Sequence, residues 1–363
     1  MSAPVLIMAG GTGGHVFPAL ALARLLREHD RQVIWLGTRR GLEARVVPAD
    51  GFAIEWLSVS GLRGKGLATV LKAPFMLVLS VWQALRIIAR HRPAVVVGLG
   101  GFVTGPGGLA AWLLGRPLVV HEQNAIAGFT NRCLARLARS VLTAFPSALA
   151  GRPRVCLIGN PVRADIAALS LPAERFAGRE GPIRLLVIGG SLGARRLNEV
   201  VPQALALLAR DATAQRFTVR HQAGEKLIDA ARAAYAGAGI AGEVSPFIAD
   251  MAASLGWADL VVCRAGALTI AELAAAGVGS VLVPFPHAVD DHQTMNAQYL
   301  VDAGAARCLA DAALTPAILA GTLLELCAAG RDGLLRLAEA ARRVARPFAA
   351  RDLLSAVLAA EAA

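Results

Sequence analysis

An α/β architecture of two doubly wound, parallel-sheet units is what this sequence predicts, and three observations carry it. Short apolar runs alternate with helical segments along all 363 residues, the pattern that gives a parallel sheet covered on both faces. The length suits two domains at roughly 100–200 residues each. The halves also open alike: Pro4 to Gly14 and Ile183 to Gly193 each read as a buried strand, a Gly-Gly-Thr/Ser-x-Gly turn and a helix, so each half is Rossmann-like and begins with its own phosphate-type loop.

The expected strands are Val5–Met8, Val33–Leu36, Val95–Gly98, Leu118–Val120 and Val141–Thr143 in the first half. In the second they are Arg184–Ile188, Thr218–His221, Leu260–Cys263 and Ser280–Val283. The N-terminus enters Val5–Met8 without a basic stretch or a cleavage site, so it reads as a strand rather than a signal peptide. Ile158-Gly-Asn-Pro-Val162 is the expected linker, dividing the chain into 1–160 and 161–346. Pro347 interrupts the last helical stretch, and 347–363 is expected to pack elsewhere.

Hydrophobic residues make up 55% and charged residues 17%, which excludes a disordered, charge-dominated chain. The net charge of +11 is uneven. Residues 1–160 carry 18 Lys or Arg against 6 Asp or Glu, and the remainder 19 against 20, so an anionic partner is expected for the first half. Aromatics are only 5% and no nucleic-acid motif occurs, which argues against nucleic acid. Cys133, Cys156, Cys263, Cys308 and Cys327 are odd in number and widely spaced, so free thiols in a reducing compartment are expected. The apolar stretch 73–85 is too short to span a bilayer, and 93–115 is interrupted by glycine and proline.

Three glycine loops and several polar clusters supply the candidate chemistry. Gly10–His15 lets backbone amides at a helix start approach an anion, yet lacks the Gly-Lys-Ser/Thr of an ATP loop and the acidic residue of a dinucleotide site. The same turn also arises where a strand simply packs on a helix. The second loop, with Gly100, Gly101, Thr104 and Gly105, has enough glycine to be floppy unless something such as a pyrophosphate docks on it. Gly189–Arg195 places the Ser191 hydroxyl and several amides at another helix start. His121-Glu-Gln-Asn124 follows a strand, at the end where crevices form, although Asn124 also fits a helix cap. Arg264 to Glu272 offers a helix start with a carboxylate one turn in, suited to ribose hydroxyls, and Asp290 to Asn296 offers acid and amide groups suited to sugar hydroxyls. Adjacent Asp290, Asp291 and His292 make a poor metal site, because neighbouring residues rarely converge on one ion.

Together with Asn160-Pro-Val-Arg163, these motifs stand in an order and at intervals that resemble the MurG family along nearly the whole chain. Its members are peripheral membrane glycosyltransferases that move N-acetylglucosamine from UDP-GlcNAc to lipid I in peptidoglycan synthesis, and so serve cell shape and division. The resemblance implies a GT-B fold, two Rossmann-like domains facing a cleft, with the last helix crossing back to the first. It implies an acceptor- and membrane-facing domain at 1–160 and a UDP-GlcNAc-binding domain at 161–346.

It also implies donor contacts at Thr12, Gly13, Gly14, Asn124, Arg163 and Ser191, the backbone of Ile248 on uracil, and Ala267, Leu268, Thr269, Ile270, Ala271 and Glu272 around ribose and diphosphate. Gln293 falls on the sugar contact, although His292 stands where some relatives have another glutamine. His15 is the first candidate for the base that takes the proton of the acceptor's C4 hydroxyl, and Glu122 the second. Displacement in a single step predicts inversion. Helix N-termini and Arg163 are expected to hold the departing diphosphate without a metal or other cofactor.

The acceptor, an undecaprenyl pyrophosphate carrying N-acetylmuramyl-pentapeptide in an anionic leaflet, accounts for the basic first half. Lys72, Phe75, Leu79 and Trp82 lie in one amphipathic segment flanked by Arg63, Lys65, Arg86 and Arg90, as an interfacial helix on the cytoplasmic face of the membrane requires. A buried core helix is the competing reading, disfavoured by Pro74 near its start. Rival functions are another nucleotide-sugar transferase, a UDP-sugar epimerase, and a basic protein without catalysis.

Overall fold

The computed structural model describes residues 3–59, 67–190, 192–210 and 216–362, the side chains of 67–73 and 289 excepted. Ser191 therefore lies outside the described residues, as do Arg63, Lys65 and the side chain of Lys72. The chain divides into two compact units, Met1–Pro161 with Pro347–Ala363, and Val162–Arg346.

In the first unit the strands are β1 (Val5–Met8), β2 (Val33–Gly37), β3 (Ala53–Trp56), β4 (Val95–Gly98), β5 (Leu118–Glu122), β6 (Ser140–Thr143) and β7 (Val155–Leu157). Helices α1 (Gly13–Glu28), α2 (Glu43–Ala49), α3 (Leu67–His91), α4 (Thr104–Leu113) and α5 (Phe129–Leu134) connect them. The second unit holds α6 (Ala164–Ala167), α7 (Pro172–Phe176), β8 (Ile183–Ile188), α8 (Arg195–Ala209), β9 (Phe217–Gln222), α9 (Ile228–Ala238) and β10 (Glu243–Ser245). It continues through α10 (Met251–Trp257), β11 (Leu260–Cys263), α11 (Ala267–Ala276), β12 (Gly279–Leu282), α12 (His292–Asp302), β13 (Ala306–Cys308), α13 (Pro316–Cys327) and α14 (Gly330–Arg343). After Pro347, α15 (Ala349–Ala362) returns to the first unit.

Both sheets are wholly parallel, in the orders β3-β2-β1-β4-β5-β6-β7 and β10-β9-β8-β11-β12-β13. The expected strands are all present. Those the sequence did not announce are β3, β7, β10 and β13, the outermost of each sheet, whose residues are largely half-buried or exposed. In each sheet the winding reverses between two central strands, β1 and β4 or β8 and β11. A crevice opens at such a switch point, and the glycine loops stand there.

Two local expectations are corrected. Pro74 does not break α3, which runs continuously through it; α1 and α8 likewise carry Pro18 and Pro202 inside them. Nor do the glycines after Gly101 form a floppy loop. Gly105, Gly107 and Gly108 lie within α4, where a Cβ on Gly107 would sit 2.2 Å from Met8 Sδ and one on Gly108 2.7 Å from Leu134 Cδ1. They let α4 approach the sheet and α5 closely.

The last helix completes the first core. Leu353, Leu354, Val357 and Ala360 of α15 are buried with Val5, Ile7, Leu22, Val97 and Val119, and Glu361 pairs with Arg31 at the end of α1. Leu353→Ala should destabilise the first unit by about 2–5 kcal/mol, since the side chain is fully buried in that core and its truncation leaves a cavity there. Urea unfolding followed by a probe in that unit measures it; a loss under 1 kcal/mol would mean that α15 is only loosely attached.

Candidate functional site

After β1 the backbone turns through Gly10 and Gly11, with Gly11 at φ +92. Its carbonyls are occupied: Ala9 O accepts from the buried Trp35 Nε1 at 2.8 Å, Gly10 O faces His15 Nδ1 at 3.3 Å, and Thr12 O accepts from the His15 and Val16 amides. The Gly11 amide donates to the fully buried Glu43 carboxylate at 2.9 Å. Thr12 occupies the N-cap of α1 without a side-chain cap bond. The first amides of a helix have no partner within it, and in α1 these are the amides of Gly13 and Gly14.

Gly100 and Gly101, both at positive φ, pass directly over this turn. A Cβ on Gly101 would meet Gly10 O at 2.3 Å, and one on Gly100 would lie 2.6 Å from His15 Cδ2. The two glycines are thus required by the close approach of the second loop, Gly100 to His15 and Gly101 to the Gly10 backbone. Thr104 is corrected: it is fully buried and its hydroxyl donates to Gly100 O at 2.8 Å, bracing the loop from inside.

The polar run after Val120 is corrected in the same way. β5 extends through Glu122, and His121, Glu122 and Gln123 are all buried. His121 Nε2 bonds Gly159 O at 2.9 Å and its Nδ1 faces Gln123 Nε2 at 3.1 Å; burial holds its pKa down at about 4. Asn160 Nδ2 donates to Gln123 O, so this patch ties the linker to the sheet. The Glu122 carboxylate accepts from the amides of Asn124 (2.9 Å) and Gly128 (3.1 Å) and from Asn131 Nδ2 (2.9 Å). Burial raises its pKa, but both oxygens are committed to shaping the β5–α5 loop. Of the two base candidates, only His15 borders the glycine loops.

In the second unit the turn after β8 is held by a neutral side chain. Gln222, buried at the end of β9, accepts from the Gly190 amide at 3.0 Å and donates to Gly190 O at 2.8 Å and Pro246 O at 3.3 Å. It fixes Gly190 at φ +83 and links this loop to the segment carrying the half-buried Ile248. Beneath lies a chain of buried polar groups. Tyr235 OH faces His221 Nδ1, His221 Nε2 faces Asn198 Oδ1, each at 3.0 Å, and Asn198 Nδ2 donates to Ala223 O. Burial puts the His221 pKa at about 4, which keeps the ring neutral.

At the head of α11 the structure brings two expected donor residues together: Arg163 Nε is 3.8 Å from Glu272 Oε1, with Asp165 4.0 Å from the same nitrogen. Burial raises the Glu272 pKa to about 7, the Arg163 charge opposing and Asp165 reinforcing the shift. Ala267 and Ile270 turn their side chains into the core, so backbone is what they offer a ligand. Gln293 has spent its Oε1 on the Phe285 amide at 2.9 Å, leaving its Nε2 end for a ligand. Arg264 is engaged with the carbonyls of Val283 and Pro284 and with Asp311. Among the described residues no three His, Cys, Asp or Glu side chains cluster as a metal site.

On α3, Phe75, Leu77, Val78 and Trp82 are exposed while Leu79 is half-buried. Arg86 lies over the Trp82 ring at 4.7 Å. Trp112, Leu113 and Leu114 at the end of α4, which packs on α3, are exposed as well. No helix among the described residues is long and apolar enough to cross a membrane.

The glycosyltransferase family 28 N-terminal domain matches residues 5–143 and the family's C-terminal domain residues 184–351. Two full-length relatives are each a UDP-N-acetylglucosamine–N-acetylmuramyl-(pentapeptide) pyrophosphoryl-undecaprenol N-acetylglucosamine transferase. The Chromohalobacter salexigens protein is 58% identical, over 97% of this chain and 95% of its own. The Marinobacter nauticus protein is 54% identical, over 95% and 94%. The crystal structure of Acinetobacter baumannii MurG is 40% identical and superposes with a TM-score of 0.87, covering 99% of this chain and all of that one. A putative UDP-N-acetylglucosamine 2-epimerase from Listeria monocytogenes, 14% identical with a TM-score of 0.65, covers 98% and 96% and shares the fold alone.

Removing Arg163 takes away the charge that opposes the raised Glu272 pKa. In Arg163→Ala the Glu272 carboxyl should therefore titrate above its present value of about 7, as followed by carboxyl carbon NMR. An unchanged value would mean that the guanidinium does not act on it.

Proposed function

The chain belongs to glycosyltransferase family 28 and, within it, to the MurG family, and on that premise we propose that it transfers N-acetylglucosamine from UDP-GlcNAc to the C4 hydroxyl of N-acetylmuramic acid in lipid I, forming lipid II. The reaction is a single displacement. The hydroxyl oxygen bonds the anomeric carbon, the bond to the β-phosphate breaks, UDP leaves with the electron pair, and the α-linked donor gives a β-linked product. The observation that carries the donor assignment is the Arg163–Glu272 pair at the head of α11: a cation for diphosphate beside a carboxylate for ribose hydroxyls.

In this reading the second unit takes the donor. The amides at the start of α8, with Arg163 and with Ser191 from the sequence before that helix, hold the growing diphosphate charge, so that no metal is called on. The backbone of Ile248 meets uracil, Ala267–Glu272 hold ribose and diphosphate, and Gln293 reaches the sugar through its amide nitrogen. The first unit supplies Thr12, Gly13, Gly14 and Asn124 on the donor's sugar side, Gly100, Gly101 and Gly105 along the acceptor, and His15 as base. Glu122 and Thr104 support these loops from inside. The exposed apolar face of α3 and α4, bordered by Arg86 and Arg90, rests on an anionic cytoplasmic membrane surface.

UDP release from UDP-GlcNAc should depend on a short-chain lipid I analogue and be absent with UDP-glucose or UDP-GalNAc. No release by protein that binds UDP would move the search to other acceptors or to epimerisation.

Ribose hydroxyls donating to Glu272 favour its ionised form, and with a pKa of about 7 UDP should bind about tenfold more weakly at pH 6 than at pH 8. The Glu272→Gln difference isolates this from titration of the phosphate itself; the same pH slope in both proteins would exclude the ribose role. At the membrane, Phe75→Ser with Trp82→Ser should reduce sedimentation with anionic liposomes several-fold. Unchanged sedimentation would remove α3 from the interface.

A further inference from the structure

Glu43 has no place in the reaction just described, yet its surroundings are built around it. It is fully buried at the start of α2, and the glycines around it leave room for a carboxylate. A Cβ on Gly41 would fall 2.0 Å from Oε2, one on Gly10 2.7 Å from Oε1, and one on Gly37 2.8 Å from Cγ. Its hydrogen-bond partners are all donors: the Gly11 amide on Oε2 at 2.9 Å, and on Oε1 the Thr38 amide at 2.9 Å and hydroxyl at 2.8 Å. A carboxylate accepts on both oxygens, whereas a glutamine would set its NH2 against one of these donors.

The Gly11 N–H held by Glu43 and the Gly10 C=O that faces His15 Nδ1 at 3.3 Å belong to one peptide unit. A negative charge bonded to the N–H end of a peptide polarises it and strengthens the carbonyl at the other end as an acceptor. The carbonyl in turn favours the proton on Nδ1. Gly100, from the loop after β4, lies against the same ring with no side chain of its own.

We propose that Glu43 is a positioning residue for His15, acting through the Gly10–Gly11 peptide to hold the imidazole in the tautomer protonated on Nδ1, with the lone pair on Nε2. The role is that of the carboxylate in a carboxylate–histidine pair, relayed through one peptide bond. It rests on the reading of His15 as base: Nε2 then takes the proton of the acceptor hydroxyl as the new glycosidic bond forms and UDP departs, and releases it to water afterwards.

The test is Glu43→Gln in the full-length enzyme, read by imidazole nitrogen NMR of neutral His15 and by single-turnover transfer. Wild type should show predominantly Nδ1–H, and the variant a mixture of tautomers. The single-turnover rate should fall on the order of tenfold while the UDP dissociation constant stays within about twofold. In a His15→Ala background the same change should cost less than about twofold, because a residue acting only through His15 has nothing left to lose. An unchanged tautomer, or an equal rate loss in the His15→Ala background, overturns the proposal. A shifted tautomer with an unchanged rate upholds the tether and removes His15 as the base. Should Glu43→Gln not fold, Glu43→Asp keeps the charge but withdraws it from Gly11, and the same tautomer shift, smaller in size, is expected.

Discussion

The fold around both switch points depends on two tight glycine turns at the carboxyl ends of central parallel strands, and each turn is held by one buried polar side chain from another element. Glu43 grips Gly11 and Gln222 grips Gly190. Without them, backbone groups at positive φ would be left to find water, at a cost of about 1–3 kcal/mol for each that remained buried and unpaired. The two braces differ in kind, a carboxylate beneath the β1 turn and a neutral amide beneath the β8 turn.

Ionisable groups are sorted by the same logic of burial and partners. His121 and His221 are locked neutral in hydrogen-bonded pockets, both at about 4, and serve as rigid polar struts. Glu272, half-buried and at about 7, changes charge near neutrality, and it stands beside the Arg163 guanidinium.

How much of this the sequence disclosed follows from the range of the interactions. Strands buried on both faces, such as Val95–Val97 or Leu260–Cys263, announce themselves as unbroken apolar runs. Edge strands such as Glu243–Ser245, half in water, do not. Glycine loops were legible because glycine is informative in itself. Their braces were not: Glu43 is 32 residues from Gly11, as Gln222 is from Gly190, and no local pattern marks a glutamate or glutamine as the one that closes such a gap. Glu122 misled for the opposite reason. A row of polar residues after a strand reads as an exposed crevice edge, whereas the amides of Asn124 and Gly128 fold back onto its carboxylate and seal it inside.

The return of α15 to the first unit has a consequence for how the chain is made. Leu353, Leu354, Val357 and Ala360 fill a place in a core whose other walls, β1, α1 and β4, lie some 250 residues or more earlier. During synthesis the second unit, contiguous from 162 to 346, holds all its own strands before the first can close. The part made first is therefore finished last, with an apolar trough along α1 and the sheet that stays open until the final helix emerges. Contacts so distant in sequence form slowly, and exposed apolar surface invites association in the meantime.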